Sequence, residues 1–216
     1  MAFANARFGR RSVKRAKVMP RLPAKLHLAD RAALAGCLYA GKICVEIGVH
    51  RGEHAAVMLA AGPAKLYLVD PWAWQAYRAY PEQHSRSWKK WLHAKNDAQM
   101  AERYNQIYQE TKSTVGKDPR VEIIRECSLD AVKRFAPEAL DVAYVDANHS
   151  YEACAADARA WWAKLRSGGY LCVHDYGSTT CREVTRAADA FLRELGREQY
   201  DILTDEPKGT CVLRKA

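Results

Sequence analysis

The residues best suited to chemistry fall in two short runs. One is Tyr144-Val145-Asp146-Ala147-Asn148-His149-Ser150-Tyr151-Glu152, and the other is Gly168-Gly169-Tyr170-Leu171-Cys172-Val173-His174-Asp175-Tyr176. In each, a hydrophobic stretch ends in a carboxylate with an imidazole close by. If the two stretches are neighbouring strands, Asp146, His149, His174 and Asp175 converge on one crevice at their carboxyl ends. Two carboxylates with imidazoles nearby can hold a hard divalent cation, take a proton from a substrate, or do both. Zinc is disfavoured on this reading, because no cysteine lies among the four residues and oxygen donors predominate. The plain alternative has the histidines bonded to backbone and the aspartates capping helices.

A third run, Val45-Glu46-Ile47-Gly48-Val49-His50-Arg51-Gly52-Glu53, carries a strand through Gly-x-x-x-Gly into a helix. Glycines let a backbone approach a ligand closely, and the start of a helix offers unpaired N–H groups. The run lacks the third glycine of G-x-G-x-x-G and the Gly-Lys-Ser/Thr of a phosphate loop. Glu46 would repel a pyrophosphate, so the loop fits a ligand bearing an amino group better than one bearing phosphates. Asp70 follows Gly48 by 22 residues, at a strand end where an acid can accept both hydroxyls of a ribose. Pro71 and Trp72 would add a rigid turn and an aromatic wall beside the sugar. A plain glycine turn and a capping Asp70 are the structural alternatives.

These residues need strands that end together, and the chain from residue 42 onward supplies them. Five β-rich runs, Lys42–Gly48, Lys65–Asp70, Arg120–Glu126, Asp141–Asp146 and Tyr170–Asp175, alternate with helical patterns. That alternation is the signature of a parallel sheet covered by helices, an α/β fold. Punctuation delimits helices at about 29–40, 52–61, 128–135, 150–166 and 181–195, the fourth closed by Gly168-Gly169, with Ser128 and Ser150 as N-caps. Tyr200–Thr204 and Thr210–Arg214, joined by a Pro-Lys-Gly turn, read as an antiparallel hairpin. A dinucleotide-binding dehydrogenase would instead continue in β-α units. The segment 73–118 is too long and too aromatic for one crossover helix. Residues 97–114 read as its helix, and 73–96, with Trp74, Tyr77, Tyr80, Trp88 and Trp91, as an insertion over the strand ends. Those aromatics either pack the insertion onto the body or form a lid over a pocket.

The 216 residues, 27% charged and 49% hydrophobic, suit one well-cored domain. No apolar run approaches the roughly 20 residues of a bilayer span. Eight of the 34 basic side chains, and no acidic one, fall in residues 1–25. The remainder carries 26 basic against 25 acidic residues, so the excess charge belongs to a basic N-terminal arm, residues 1–25, ahead of a single domain at 26–216. Such an arm reads as a solvated tail, an anionic-surface contact or a transit segment. Seven cysteines with no C-x-x-C pair favour a reduced, cytoplasmic protein over a disulfide scaffold.

Residues 42–215 resemble the class I S-adenosylmethionine-dependent methyltransferases. They are most similar to small-molecule O-methyltransferase-like families whose fourth and fifth strand ends read D-x-N-H-S-Y-E and G-G-x-x-x-x-H-D-Y. The resemblance implies a Rossmann-like, mostly parallel sheet of order 3-2-1-4-5-7-6, its last strand antiparallel, with helices on both faces. It implies that Glu46 and Gly48 line the methionine part of S-adenosyl-L-methionine, that His50 and Gly52 complete the loop, and that Asp70 holds the ribose. Cys127 and Ser128 would touch the adenine, and Asp146 would lie beneath the sulfonium. Against metal-dependent catechol-type relatives, Asp146 and Asp175 fall on two metal aspartates and His149 on a lysine base. Tyr176 replaces the metal asparagine of that pattern, so a third ligand would come from His174 or elsewhere.

The expected reaction is methyl transfer to a hydroxyl of a small molecule. His149, titrating near neutrality, would act as base, with a divalent ion such as Mg2+ at Asp146 and Asp175. Two alternatives are a metal-dependent enzyme without methyl transfer on the same scaffold, and a nucleic-acid methyltransferase using the arm. A nucleic acid is disfavoured because the body is near-neutral and lacks a second basic stripe. The sequence leaves open whether the chain forms a homo-oligomer.

Overall fold

Why the sheet forms where it does is visible in its central strand. Leu140–Val145 is buried along its whole length, with Leu140, Ala143 and Val145 turned to one face and Val142 and Tyr144 to the other. This is the pattern of a strand covered on both sides. In the computed structural model, residues 26–77 and 89–216 are described. The basic arm 1–25 and residues 78–88 of the expected lid lie outside them.

The strands are β1 (Leu26–Leu28), β2 (Ile43–Ile47), β3 (Lys65–Val69), β4 (Val121–Ile124), β5 (Leu140–Val145), β6 (Leu165–Tyr176), β7 (Ile202–Thr204) and β8 (Gly209–Arg214). The helices are α1 (Arg31–Leu38), α2 (Glu53–Ala60), α3 (Trp74–Tyr77), α4 (Asp97–Thr114), α5 (Ser128–Ala131), α6 (Tyr151–Trp162) and α7 (Arg182–Glu194). They build one eight-stranded sheet in the order β1-β7-β8-β6-β5-β2-β3-β4. Pairing is parallel except where β8 meets β6 and β7.

The sheet therefore differs from the expected seven strands. Leu26–Leu28 adds an eighth at the edge, parallel to β7. Three residues before a helix carry too little alternation to be read as a strand. A second departure concerns Gly168-Gly169, which lies inside β6 instead of closing a helix. Helix α6 ends at Trp162, and the register of β6 on β5 shifts between Leu140 and Val142. The glycines thus mark a bulge, the other common meaning of glycine in an apolar run.

Two cores cover the two faces. Side chains of α6 and α7, including Trp161 and Phe191, form one; Leu34 of α1, Met58 of α2 and Tyr104 of α4 contribute to the other. Burying each such large apolar side chain stabilises the fold by about 1.5–3 kcal/mol. All seven cysteines are free, as the sequence suggested. Among the described residues no helix is long and apolar enough to cross a membrane.

Candidate active site

The parallel strands β2, β3, β5 and β6 end along one edge, and each ends on or beside an acid. A cavity of about 690 Å3 opens there, lined by Glu46, Gly48, His50, Asp70, Pro71, Cys127, Ser128, Asp146 and His149 among others. Its floor is the loop after β2. Gly48 has φ +89°, and a Cβ on it would lie 2.1 Å from the carbonyl oxygen of Asp146. The glycine is thus required by the crossing of two strand ends, whatever ligand the loop meets. Gly52, also left-handed at φ +79°, precedes α2, and a Cβ there would crowd Val115 and Thr111.

Glu46 is buried on β2, and its Oε2 has no hydrogen-bond partner. Burial pushes this carboxyl well above the usual range, and the charges of Asp146 and Asp70 push it the same way. Glu46 is thus a buried acid with unused hydrogen-bonding capacity at the wall of the cavity.

Asp70 is equally buried but occupied. Its Oδ1 accepts from the Trp72 N–H at 2.7 Å and the Tyr77 hydroxyl at 3.2 Å, and its Oδ2 from the His50 N–H at 3.0 Å. Burial raises its pKa and these bonds hold it back. A carboxylate has about four acceptor positions, so a ribose hydroxyl would have little of Asp70 left to use. Trp72 departs from the expected aromatic wall. At φ +40° its ring turns into the core against Tyr108, and its indole N–H donates to the His50 carbonyl at 2.8 Å. Tyr77 and Trp91 line the cavity instead, and Trp91 is 57% exposed, its ring tilted by 33° against His50 with centroids 5.2 Å apart.

Ser128 does not cap a helix. Its hydroxyl donates to Asp157 Oδ1 at 2.5 Å and accepts from the Trp161 indole at 2.9 Å. Cys127 is the N-cap residue of α5, without a side-chain cap bond. Asp157, at the same end of the cavity, is buried and pushed up to about 6 by desolvation, against the Ser128 bond. Ser150 caps α6 as expected, accepting from the Ala153 N–H at 3.3 Å.

The other end of the cavity brings the four sequence-selected residues together. His149 Nε2 lies 3.5 Å from Asp146 Oδ1 and 3.2 Å from Asp175 Oδ2. These are ion-pair distances without the alignment of a hydrogen bond, since Nε2 meets no hydrogen-bond criterion. Burial opposes charge on His149, but Asp146, Cys181 and Asp175 together outweigh it and push the imidazole up to about 10. The expectation of a histidine titrating near neutrality is therefore corrected. Two carboxylates that the sequence shows separately act on it at once, and at pH 7 it is an imidazolium.

Asp175 is buried at φ +60°, a conformation tolerated better by Asp than by most residues. Its Oδ1 has no hydrogen-bond partner. His174 is lowered by burial and keeps Nδ1 3.2 Å from the Thr210 hydroxyl. Donor atoms of Asp146, His174 and Asp175 lie within 4.8 Å of one another. Two oxygens and a nitrogen, one oxygen unsatisfied, fit a divalent cation. His174 and Asp175 do not line the cavity itself. They stand behind His149.

Cys181 is the residue that sequence reasoning missed. At the start of α7, it places Sγ 3.6 Å from His149 Nδ1. That contact holds the thiol below its ordinary pKa, against the effect of burial. Nothing local signals it, because 32 residues separate the two side chains.

No curated protein matches the chain in sequence. Among solved structures, the O-methyltransferase NovP aligns with a TM-score of 0.58 at 16% identity, over 82% of this chain and 73% of that one. A Corynebacterium glutamicum protein aligns at 0.53 and 21% identity, over 86% and 78%. Spermidine synthase from Thermotoga maritima aligns at 0.52 and 15% identity, over 88% and 57%. At such identities the likeness is one of fold. The sequence itself goes further, because the family model described as a methyltransferase domain matches residues 45–176, from the strand bearing Glu46 to the end of the strand bearing Asp175. On that match, the chain belongs to the methyltransferase-domain family.

Proposed function

We propose that this protein transfers the methyl group of S-adenosyl-L-methionine to a hydroxyl of a small molecule, with a divalent ion such as Mg2+ at Asp146, His174 and Asp175. The observation that carries the reading is Glu46, a buried carboxyl with an unpartnered oxygen at the wall of a cavity that Asp146 also lines. Two acids at one wall suit a ligand bearing both an amino group and a sulfonium.

The cofactor supplies the electrophilic methyl group, and a divalent ion would lower the pKa of the acceptor hydroxyl and fix its direction. The chain does the rest. Glu46 orients the cationic end of the cofactor, and the Gly48 loop lets its backbone come close. Asp70 acts mainly through the loop, since its oxygens brace His50 and Trp72. His149 faces the cavity between Asp146 and Asp175. Positive charge beside Asp146 would lower the pKa of His149, so that the imidazolium releases its proton to solvent and the neutral ring can then take the hydroxyl proton. Holding the oxygen and methyl at attack distance can supply about 7–11 kcal/mol of the acceleration. Trp91, at the wall of the cavity, would help to exclude water.

Calorimetry with S-adenosylmethionine and S-adenosylhomocysteine tests the reading. Micromolar binding of both, weakened at least about tenfold in Glu46→Gln, is expected from the loss of one charged contact. A cation that favours ionised Glu46 must also release a proton on binding, so affinity rises with pH until the ligand-free pKa of Glu46 is passed. Absence of binding at any pH, or a proton release unchanged in Glu46→Gln, would overturn the assignment.

A further inference from the structure

The donor set around His149 extends beyond the group that a hard cation would use. One nitrogen of His149, a carboxylate oxygen of Asp175 and Sγ of Cys181 lie within 4.8 Å of one another. Asp175 is only 3% exposed, and its Oδ1 has no hydrogen-bond partner. Lys208 Nζ stands 3.9 Å from that oxygen on a side chain 62% exposed, free to swing away. The carboxylate therefore has capacity for a ligand, and a thiol and an imidazole share the space in front of it.

We propose that His149, Asp175 and Cys181 form a binding site for a divalent ion of the zinc and cobalt class. The sequence argues against zinc because no cysteine is among the four residues Asp146, His149, His174 and Asp175, and the fold removes that objection by delivering Cys181 from the start of α7. Thiolate and imidazole donors select borderline ions, whereas Mg2+ requires octahedral oxygen ligation. Zinc–ligand lengths of about 2.0–2.3 Å put tetrahedral donors about 3.3–3.8 Å apart, so the three side chains close on an ion by shifts of about 1 Å. Three protein ligands leave a fourth position open. Asp175 belongs to this set and to the Asp146/His174 set, so the two ions compete for one carboxylate. The site rests on these three residues and is independent of the methyl-transfer reading.

The experiment is a titration of Co2+ into the full-length, metal-stripped protein, read by absorption. One equivalent should produce intense near-ultraviolet thiolate-to-cobalt absorption. Cys181→Ser should lose that absorption and bind about 100-fold more weakly or worse, since removing even an outer partner costs about 10–100-fold. His174→Gln, outside the proposed set, should keep it. As a second readout on the unmutated protein, Zn2+ should shield Cys181 from iodoacetamide, mapped by mass spectrometry, while exposed Cys37 stays reactive. No near-ultraviolet absorption, absorption that survives in Cys181→Ser, or equal labelling of Cys181 with and without Zn2+ would overturn the proposal. Should Cys181→Ser misfold by circular dichroism, the labelling result alone decides.

Discussion

Asp70 and Asp175 are both aspartates at the ends of parallel strands, both almost wholly buried, yet the protein treats them oppositely. Asp70 accepts three hydrogen bonds from its own chain, two of them from backbone N–H groups of the turns it braces. Asp175 keeps one oxygen without a hydrogen-bond partner and faces a histidine across an imperfect ion pair. The first is saturated and the second is not. A buried polar group that is satisfied contributes to stability, while an unsatisfied one costs stability and is retained where a ligand completes it. The contrast divides the site into a braced β3 end and an incomplete β6 end.

Between these two regions, Gly48 joins the end of β3 to the end of β5, and breaking that joint should have the largest effect. A Cβ there would enter the Asp146 backbone at 2.1 Å, in a left-handed conformation as well. Gly48→Ala is expected to cost about 4 kcal/mol or more, in the range of exceptional substitutions. Denaturant unfolding measures it, and a loss under about 1 kcal/mol would mean that the strand ends are not in contact.

The comparison itself is tested by making one change at both ends. Asp70→Asn removes a charged acceptor from three donors and should cost about 1.5–3 kcal/mol. Asp175→Asn removes one of the two carboxylates paired with His149, so its cost at pH 7 should disappear in a His149→Ala background, while methyl transfer falls sharply. An Asp175→Asn loss that persists without His149, or an Asp70→Asn loss that vanishes with it, would abolish the distinction. His149→Ala extends the test to the incomplete end. Turnover should fall by about 100-fold or more, the usual contribution of a positioned acid or base, with cofactor affinity nearly intact. Unchanged turnover would remove His149 from the mechanism.

Much of this was legible in the sequence, and the reason is local. Hydrophobic runs ending in Glu46, Asp70, Asp146 and Asp175 read directly as strands with acids at their carboxyl ends, and parallel pairing brings those ends together. What was not legible depends on direction or on distance along the chain. Trp72 follows Asp70 and Pro71 in sequence, but its positive φ turns the ring away from the cavity. Cys181 reaches His149 only through the packing of α7 on the sheet. The state of His149 depends on Asp146 and Asp175 together, which no single motif contains.

That shared dependence gives a pH signature at the incomplete end. His149 is raised from its unfolded value near 6.5 to about 10. Its contribution to stability is therefore complete below pH 6.5 and lost as the pH rises through about 10. In metal-free protein, the melting temperature should fall more steeply between pH 7 and 10 in the parent than in His149→Ala. Parallel curves would show that Asp146 and Asp175 do not hold the proton.

The smallest effect belongs to Trp91, which tests whether the aromatic side of the cavity is part of the core or of the ligand site. Core aromatics such as Trp72 are buried, whereas Trp91 is 57% exposed, lies against the His50 ring and lines the cavity. Truncating an exposed side chain usually changes stability by less than about 0.5 kcal/mol, so Trp91→Ala should unfold at nearly the parent's midpoint. An aromatic contact with a bound ligand is worth about 0.5–1.5 kcal/mol, which corresponds to a rise of about 2–12-fold in the dissociation constant for S-adenosylhomocysteine. A large stability loss with unchanged affinity would move Trp91 out of the ligand site and into the core.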